Sequence, residues 1–161
     1  MGKPRCEAAL DNGWMVSPSY NEDNHRGGWG DTPTATMIWA PTLSRASVHT
    51  AVKAHHTAAT NDDTASMKRM AHDEGWMGSV LRGFGKTKIT ITLADKQMGD
   101  GFGVVTLYGP NRKQMDNRDC KDENPCTVNF PLEVEEKTYF VAIAHQKAGD
   151  VIVSAPIWYV P

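Results

Sequence analysis

The sequence predicts an α+β fold in which a short βα segment precedes an antiparallel β-sandwich. Before Asn61-Asp62-Asp63, which carries turn chemistry, the apolar residues follow helical spacing or form isolated short strands. After that stretch they alternate with a period of two, and clusters of glycine, proline and asparagine separate successive runs. We therefore expect a βα segment at residues 1–61 and a sandwich of about seven strands at residues 62–161.

Two helices are predicted in the first segment. Pro4 suits a first helical turn and Gly13 suits a C-terminal cap, which frames a helix from about residue 4 to residue 12. Ser44 is placed to cap a second helix, whose stripe at helical spacing comprises Val48, Ala51, Val52 and His55. Strand-like runs lie between the two helices, at Trp14 to Val16 and at Thr36 to Ala40.

The strands of the sandwich are predicted from alternation. In the run from Thr87 to Leu93, the residues that share one side are Ile89, Ile91 and Leu93. Six further short runs are predicted as strands, at residues 66–70, 76–81, 105–107, 128–134, 139–143 and 151–157. Because proline has no N–H to donate to a neighbouring strand, Pro131 predicts that its run lies at a sheet edge or contains a bulge.

Composition limits the expected partners. The chain has 161 residues, of which 40% are hydrophobic, and 17 basic and 19 acidic residues are interspersed to give a formal charge of -2. Without a block of like charge, neither nucleic acid nor an anionic membrane is an expected partner. No apolar run approaches the roughly 18 residues that cross a bilayer, and residues 1–5 do not lead into the apolar core of a signal peptide.

The residues with the clearest chemistry are Asp23 and His25, in a polar stretch that ends in Gly27-Gly28-Trp29-Gly30. A carboxylate and an imidazole two residues apart after a strand can turn toward one point, and oxygen and nitrogen donors together suit zinc, manganese or iron. An Asp-x-His in a glycine-rich loop is also an ordinary turn, in which the aspartate bonds its own backbone and the histidine is solvated. The spacing leaves both interpretations open.

Several short motifs are distributed over nearly the whole chain. They are Glu7 to Trp14, Asp23-Asn24-His25 followed by Trp29-Gly30, Leu43-Ser44-Arg45, Ala54 to Thr60, Trp76 to Ser79, Leu107 to Asn111, Tyr139 to Val141, and Ser154 to Trp158. Together they resemble the C-terminal part of PHP-type (polymerase and histidinol phosphatase) metal-dependent phosphoesterases, with the β-sandwich that extends them. The resemblance implies that Asp23 and His25 supply two ligands to a metal cluster on the rim of a βα barrel.

Two features depart from that family's pattern. Its opening His-x-His element and its middle Glu and His ligands have no counterpart, since the histidines are residues 25, 49, 55, 56, 72 and 145. In addition, His55-His56 replaces two basic residues at the end of the second helix, where either histidine could add a metal ligand or serve the helix dipole. Two ligands hold a divalent ion poorly, so further ligands are needed, for example from a second copy in a homo-oligomer.

Two functions from different classes are compatible with these observations. One is a PHP-like, metal-dependent hydrolase of phosphoester or carboxyl ester bonds in small molecules, with Asp23 and His25 at its metal. The other is a non-catalytic β-sandwich, an interaction or stability module with a vestigial metal site. A carbohydrate platform is a third use for the five Trp and four Tyr, although strand alternation favours core packing for most of them.

Three cysteines are present, and Cys120 and Cys126 flank a polar stretch that can fold back and close a disulfide. The alternative is a pair of reduced thiols on an exposed loop. A bridge would favour an extracellular or periplasmic origin, because disulfides persist in oxidising compartments. Cys6 lies on the apolar side of the first predicted helix, where a buried spectator thiol is expected.

Overall fold

The computed structural model of the protein describes residues 5–72, 75–97 and 99–161. In these ranges the helices are α1 (Arg5–Asp11) and α2 (Arg45–Lys53), and a single 3-10 turn spans Pro110–Arg112. The strands are β1 (Ala35–Ile38), β2 (Thr57–Thr60), β3 (Ala65–His72), β4 (Gly75–Trp76), β5 (Val80–Arg82), β6 (Gly85–Asp95), β7 (Phe102–Tyr108), β8 (Gln114–Glu123), β9 (Cys126–Val134), β10 (Thr138–Gln146), β11 (Val151–Ser154) and β12 (Ile157–Val160).

The strands form two sheets. The larger sheet has eight strands in the order β1-β2-β11-β10-β12-β5, with β7 pairing to β10 and β8 pairing to β7. The smaller sheet has the order β4-β3-β6-β9. One continuous core takes side chains from both sheets, and its fully buried members include Met67, Ile91, Phe102, Leu107, Phe130 and Ile152. Burial of these side chains is what holds the two sheets together.

The predicted α+β fold class, with a remnant of a PHP-like barrel, is wrong. The described chain is mostly antiparallel β-sheet and contains no barrel piece. Strands β1 and β2 pair antiparallel, with Ile38 opposite Thr57, whereas the strands of a βα barrel are parallel. Helix α2 therefore joins the two strands of a wide hairpin instead of crossing over to a parallel neighbour. Strand β2 also pairs with β11, so both early strands belong to the larger sheet of the sandwich.

The error has a local cause. A helix between two short strands has the same residue pattern whether the strands run parallel or antiparallel, because periodicity does not encode strand direction. Helix α2 itself begins where predicted, since the Ser44 hydroxyl accepts a hydrogen bond from the backbone N–H of Ser47. Strand β2 has only four residues, and its small side chains Ala58 and Ala59 are buried in the sheet. Its direction is decided by pairing with distant strands.

Several element-level predictions are confirmed. The inward side of β6 buries Ile89, Ile91 and Leu93, and β9, which contains Pro131, is an edge strand of the smaller sheet. Helix α1 is close to its predicted limits, although Pro4 lies outside the described residues, and the run Trp14 to Val16 is irregular instead of a strand. Neither described helix is long and apolar enough to span a bilayer.

Candidate metal centre

Loops at one end of the sandwich bring four aspartates together. Asp62 lies between β2 and β3, Asp95 ends β6, Asp100 lies between β6 and β7, and Asp150 immediately precedes β11. With Gln146, the last residue of β10, they form what we call the acidic cluster. One carboxylate oxygen from each of Asp62, Asp100 and Asp150 lies within 4.8 Å of the other two.

The strand topology explains why these loops meet. Strand β6 belongs to the smaller sheet, whereas β2, β7, β10 and β11 belong to the larger one. The ends of β2, β6 and β10 and the starts of β7 and β11 all lie at the same end of the sandwich, because β6 leads into β7 and β10 turns directly into β11. The acidic cluster therefore lies between the two sheets, at one end of their shared core.

Gln146 contacts three of the carboxylates at once. Its amide nitrogen Nε2 lies 2.9 Å from Asp62 Oδ2, 2.7 Å from Asp95 Oδ2 and 3.2 Å from Asp100 Oδ2. An NH₂ group has two hydrogens to donate, so it cannot give each of three carboxylates a full hydrogen bond. The Gln146 side chain is only 4% exposed, and its oxygen Oε1 is a buried polar atom that has no hydrogen-bond partner.

The unpartnered amide oxygen points to a missing positive charge. A buried acceptor without a partner costs about 1–3 kcal/mol. If the Gln146 amide turns by 180° about its last bond, Oε1 takes the place of Nε2 among the carboxylates. That orientation sets Oε1 against the carboxylates of Asp62, Asp95 and Asp100, which is unfavourable unless a cation lies between them. A cation bound by the carboxylates and Oε1 would supply the charge that the cluster lacks.

The outer oxygens of the carboxylates are already held by neighbouring donors. Each Oδ1 accepts a hydrogen bond from the chain around it: Asp62 from Thr64 N (2.9 Å) and Oγ1 (2.7 Å), Asp95 from Gln97 N (2.8 Å), Asp100 from Ala148 N (3.0 Å) and Asp150 from Asn61 Nδ2 (2.6 Å). The inner oxygens Oδ2 of Asp62, Asp95 and Asp100 then converge on Gln146 Nε2. Such outer hydrogen bonds orient the ligands of metal sites.

The electrostatics of the cluster shift two pKa values in opposite directions. Burial, followed by the negative charges of the other three aspartates, raises the pKa of Asp150 above its ordinary value. Burial alone would also raise the pKa of Asp62, but hydrogen bonds from Gln146 and Thr64 outweigh it and hold that pKa below its ordinary value. The folded protein therefore disfavours the ionised form of Asp150, first through burial and then through repulsion from the other aspartates.

The ion pairs recorded between described residues do not involve the acidic cluster. In the described part of the chain, the lysine and arginine ion pairs join Arg118 to Asp116 and Lys147 to Asp122. None of the four aspartates of the acidic cluster takes part in such a pair. Carboxylates that are less than a tenth exposed, as Asp62 and Asp100 are, normally pair with a base or coordinate a metal.

The donor set of the acidic cluster is oxygen only. Ca²⁺ takes six to eight oxygen ligands at about 2.3–2.6 Å, so ligands on opposite sides of one ion are roughly 5 Å apart. One oxygen each from Asp62, Asp100 and Asp150 lies within 4.8 Å of the other two, so one cation could contact all three. Zinc sites prefer His and Cys donors in a tighter tetrahedron. The chemistry of the donors therefore favours Ca²⁺ over zinc.

Asp23 and His25, the predicted ligands, lie in a surface loop. His25 Nε2 is 3.3 Å from Asp23 Oδ1, and the two side chains are 84% and 90% exposed respectively. In the described residues no third His, Cys, Asp or Glu joins them at metal-binding distance. The structure thus brings the pair together without completing a coordination sphere, and their catalytic and ligand roles stay predictions.

His55 and His56 follow α2. The His55 ring packs edge-on against Trp158 with ring centroids 5.4 Å apart, and its Nδ1 is 3.4 Å from Ser17 Oγ. Burial, and then the nearby His56, lowers the pKa of His55. His56 lines a surface cavity of about 350 Å³ together with Trp39 and Trp76. Neither histidine joins a group of three potential ligands in the described chain, so their ligand role also stays a prediction.

Cys120 and Cys126 form the predicted disulfide. Cys120 lies in β8 of the larger sheet and Cys126 begins β9 of the smaller one, so the bond links the two sheets. A disulfide of this kind is compatible with an oxidising compartment. Cys6 is not part of a disulfide and is half-buried against Leu10 and its neighbours.

The acidic cluster is absent from the sequence-based predictions. Asp62 enters them only as part of a turn, and Asp95, Asp100 and Asp150 are not singled out. The available signal was an aspartate in three separate turns, of which only the turns of Asp95/Asp100 and of Asp150 follow predicted strands. The spacing of these aspartates in the sequence does not show that they are close in space, because only the order of the strands in the sheets determines which turns lie at the same end of the sandwich.

Comparisons with known proteins add no functional information. No family model matches the sequence, and no curated protein matches it. One solved structure that shares similarity is described as the crystal structure of an engineered protein, with 13% identity and a TM-score of 0.36. The match covers 60% of this chain and only 21% of that one, and a likeness this low carries no argument. The PHP resemblance therefore remains an expectation from the sequence.

Proposed function

We propose that the protein is a non-catalytic β-sandwich module that binds Ca²⁺ at the acidic cluster and is stabilised by it. The observation that carries this proposal is Gln146 Oε1, a deeply buried oxygen without a partner on a side chain that contacts three carboxylates. The four aspartates and this oxygen make an all-oxygen donor set.

The burial of the cluster favours a structural role over a catalytic one. Catalytic metal sites keep an open position for water or substrate, whereas structural sites are closed by protein ligands. Asp62, Asp95, Asp100 and Gln146 are each at most 9% exposed, which leaves little room for a substrate. Because the ligands come from both sheets, a bound ion would hold the sandwich closed at this end.

The expected gain in stability follows from mass action. A ligand that binds only the folded state stabilises it by about 2.7 kcal/mol when its free concentration is 100 times Kd. Extracellular calcium modules have Kd values of roughly 0.1–1 mM. Together with the Cys120–Cys126 bond, such a site suits an extracellular or periplasmic protein.

The test is calorimetric titration with CaCl₂, MgCl₂ and ZnCl₂, using Asp100→Asn and a matched control, Asp63→Asn. Asp63 neighbours the cluster in sequence but is exposed and lies outside it. We expect one Ca²⁺ per chain, a Kd raised by roughly tenfold or more in Asp100→Asn, and an unchanged Kd in Asp63→Asn. Wild-type protein that shows neither heat of Ca²⁺ binding nor a calcium-dependent melting temperature would overturn the proposal.

A further inference from the structure

We propose that Asn124, in the turn closed by the Cys120–Cys126 disulfide, positions Asp95 for the cation, so that opening this disulfide weakens cation binding. The inference rests on the proposed function and extends it to a residue outside the acidic cluster. It also makes the calcium site sensitive to the redox state of a bond that does not touch the ion.

Asn124 holds the backbone on both sides of Asp95. Its Oδ1 accepts a hydrogen bond from Asp95 N at 3.0 Å, and its Nδ2 donates to Asp95 O at 3.0 Å and to Gln97 O at 3.3 Å. The ladder between β6 and β9 has its last pair at Leu93 and Cys126. The side-chain amide of Asn124 therefore extends the ladder past its end by one reciprocal pair of hydrogen bonds.

Asp95 passes this constraint to the centre of the cluster. Its Oδ2 makes the shortest of the three contacts with Gln146 Nε2, at 2.7 Å, while its Oδ1 accepts from Gln97 N at 2.8 Å. A functional constellation needs its groups held within about 0.5 Å of the productive geometry. If Asn124 no longer holds the backbone at Asp95, the ligand oxygen loses that precision.

The disulfide fixes the turn that carries Asn124. Cys126 is two residues beyond Asn124, and its bond to Cys120 ties the turn to β8 in the other sheet. The same turn also abuts the second ligand loop, because a Cβ on Gly101 would collide with the backbone carbonyl of Asp122. Opening the disulfide therefore loosens the turn against the neighbours of two ligands, Asp95 and Asp100.

The redox step is thiol–disulfide exchange with a dithiol reductant. Its thiolate attacks one of the two cysteine sulfurs, the Cys120–Cys126 bond breaks, and a mixed disulfide forms. The second thiol of the reductant then displaces the protein sulfur, which leaves two protein thiols and a cyclic disulfide. Two electrons and two protons pass from the reductant to the protein.

The experiment measures the Kd for Ca²⁺ by calorimetry for oxidised wild type, Asn124→Ala and the control Asn129→Ala. Asn129 lies on β9 and accepts a single cross-strand hydrogen bond from Thr90, at 2.8 Å. We expect Asn124→Ala to raise Kd roughly tenfold, as the loss of an outer-shell partner does, and Asn129→Ala to leave it unchanged. Wild type reduced with dithiothreitol, with three thiols per chain confirmed by titration, should also show a raised Kd.

Because both changes act through Asp95, reducing the Asn124→Ala variant should raise Kd further by less than reducing wild type does. The free energy of unfolding in EGTA is measured in parallel. If it falls in Asn124→Ala while Kd stays at the wild-type value, the positioning role is overturned and the calcium site stands. If oxidised wild type does not bind Ca²⁺, the proposed function itself fails.

Discussion

The surface loop at residues 21–34 and the acidic cluster both concentrate polar side chains, but the fold surrounds them differently. In the loop, Asp23 and His25 meet in solvent and are almost fully exposed. In the cluster, the carboxylates lie at the end of the core, and Gln146 between them is 4% exposed. The loop pair has the spacing of metal ligands, whereas the cluster has the uncompensated buried charge that a metal would relieve.

The two regions also differ in the range of their hydrogen bonds. Glu22 accepts from Gly30 N and Thr32 N, eight and ten residues away, and hydrogen bonds led by that from Thr32 lower its pKa. Gln146 contacts aspartates that are 84, 51 and 46 residues away in the chain. The hydrogen bonds of the loop are made by residues that are close in the sequence, whereas the acidic cluster forms only when the sandwich is assembled. The proposed cation site is therefore identified by burial and not by ligand spacing.

The largest difference between the regions should appear in calcium-dependent stability. At a free Ca²⁺ concentration 100 times Kd, wild type should gain about 2.7 kcal/mol, or roughly 5–10 °C in Tm. Asp62→Asn/Asp100→Asn should lose that gain because two ligands are removed, whereas Asp23→Ala/His25→Ala should keep it. Thermal unfolding with CaCl₂ and with EGTA measures both. If the Asp23→Ala/His25→Ala variant loses the gain and the Asp62→Asn/Asp100→Asn variant keeps it, the metal site lies in the surface loop.

A sharper prediction is that Asp150→Asn changes stability and affinity in opposite directions. The raised pKa of Asp150 shows that its ionised form is disfavoured in the folded protein, so a neutral amide should raise stability in EGTA. The same change removes a ligand charge and should raise the Kd for Ca²⁺ roughly tenfold. Urea unfolding in EGTA and calorimetry check the two signs, with Asp63→Asn as control. A fall in both quantities would mean that Asp150 has an ordinary stabilising role.

The pH dependence of binding should show a smaller effect. As the pH falls from about 7.5 to about 5, protons compete with Ca²⁺ for the carboxylates, so affinity should decline by several-fold. Asp150 is the first candidate to protonate because its pKa is raised, and the decline should be shallower in Asp150→Asn. Calorimetric titrations across this range test the prediction, which an identical pH profile for both proteins would contradict.

In the absence of calcium the two shifted carboxyls affect folding with opposite signs. The raised pKa of Asp150 means that ionisation of its carboxyl opposes folding at neutral pH. This cost disappears as the pH falls below the ordinary pKa of an aspartate. The lowered pKa of Asp62 means that its ionised carboxylate stabilises the fold at pH values above the ordinary pKa of an aspartate. That contribution is lost as the pH falls through the lowered pKa of Asp62. Unfolding curves in EGTA at several pH values separate the two contributions when Asp150→Asn is included.

The smallest effect is expected in the surface loop. Trp29 is 78% exposed, and its indole N–H donates to Asn24 O at 3.2 Å. Trp29→Ala should change the free energy of unfolding by less than roughly 0.5 kcal/mol, since exposed substitutions rarely do more. Urea denaturation measures this. A loss above roughly 1 kcal/mol would show that the loop is coupled to the core and would weaken the contrast between the loop and the acidic cluster.

The sequence was sufficient to predict those features that depend on contacts between residues close together in the chain. The alternation in β6 places Ile89, Ile91 and Leu93 on the buried side, the missing N–H of Pro131 puts β9 at an edge, and Ser44 caps α2. The closeness of Cys120 to Cys126 in the chain was enough to suggest their bond. Each of these outcomes depends on contacts within one element or between near neighbours.

What the sequence by itself determined is the strands with clear alternation, such as β6, their inward residues and the cap of α2, because hydrogen bonds and burial within each segment decide them. Strands β2 and β8 are not among the predicted runs. The tertiary structure alone decided that β1 and β2 run antiparallel and that Asp62, Asp95, Asp100 and Asp150 share one end of the sandwich. The direction of a strand and the strands beside it depend on how distant segments bury their apolar faces together. The spacing of apolar residues along the sequence does not reveal that arrangement.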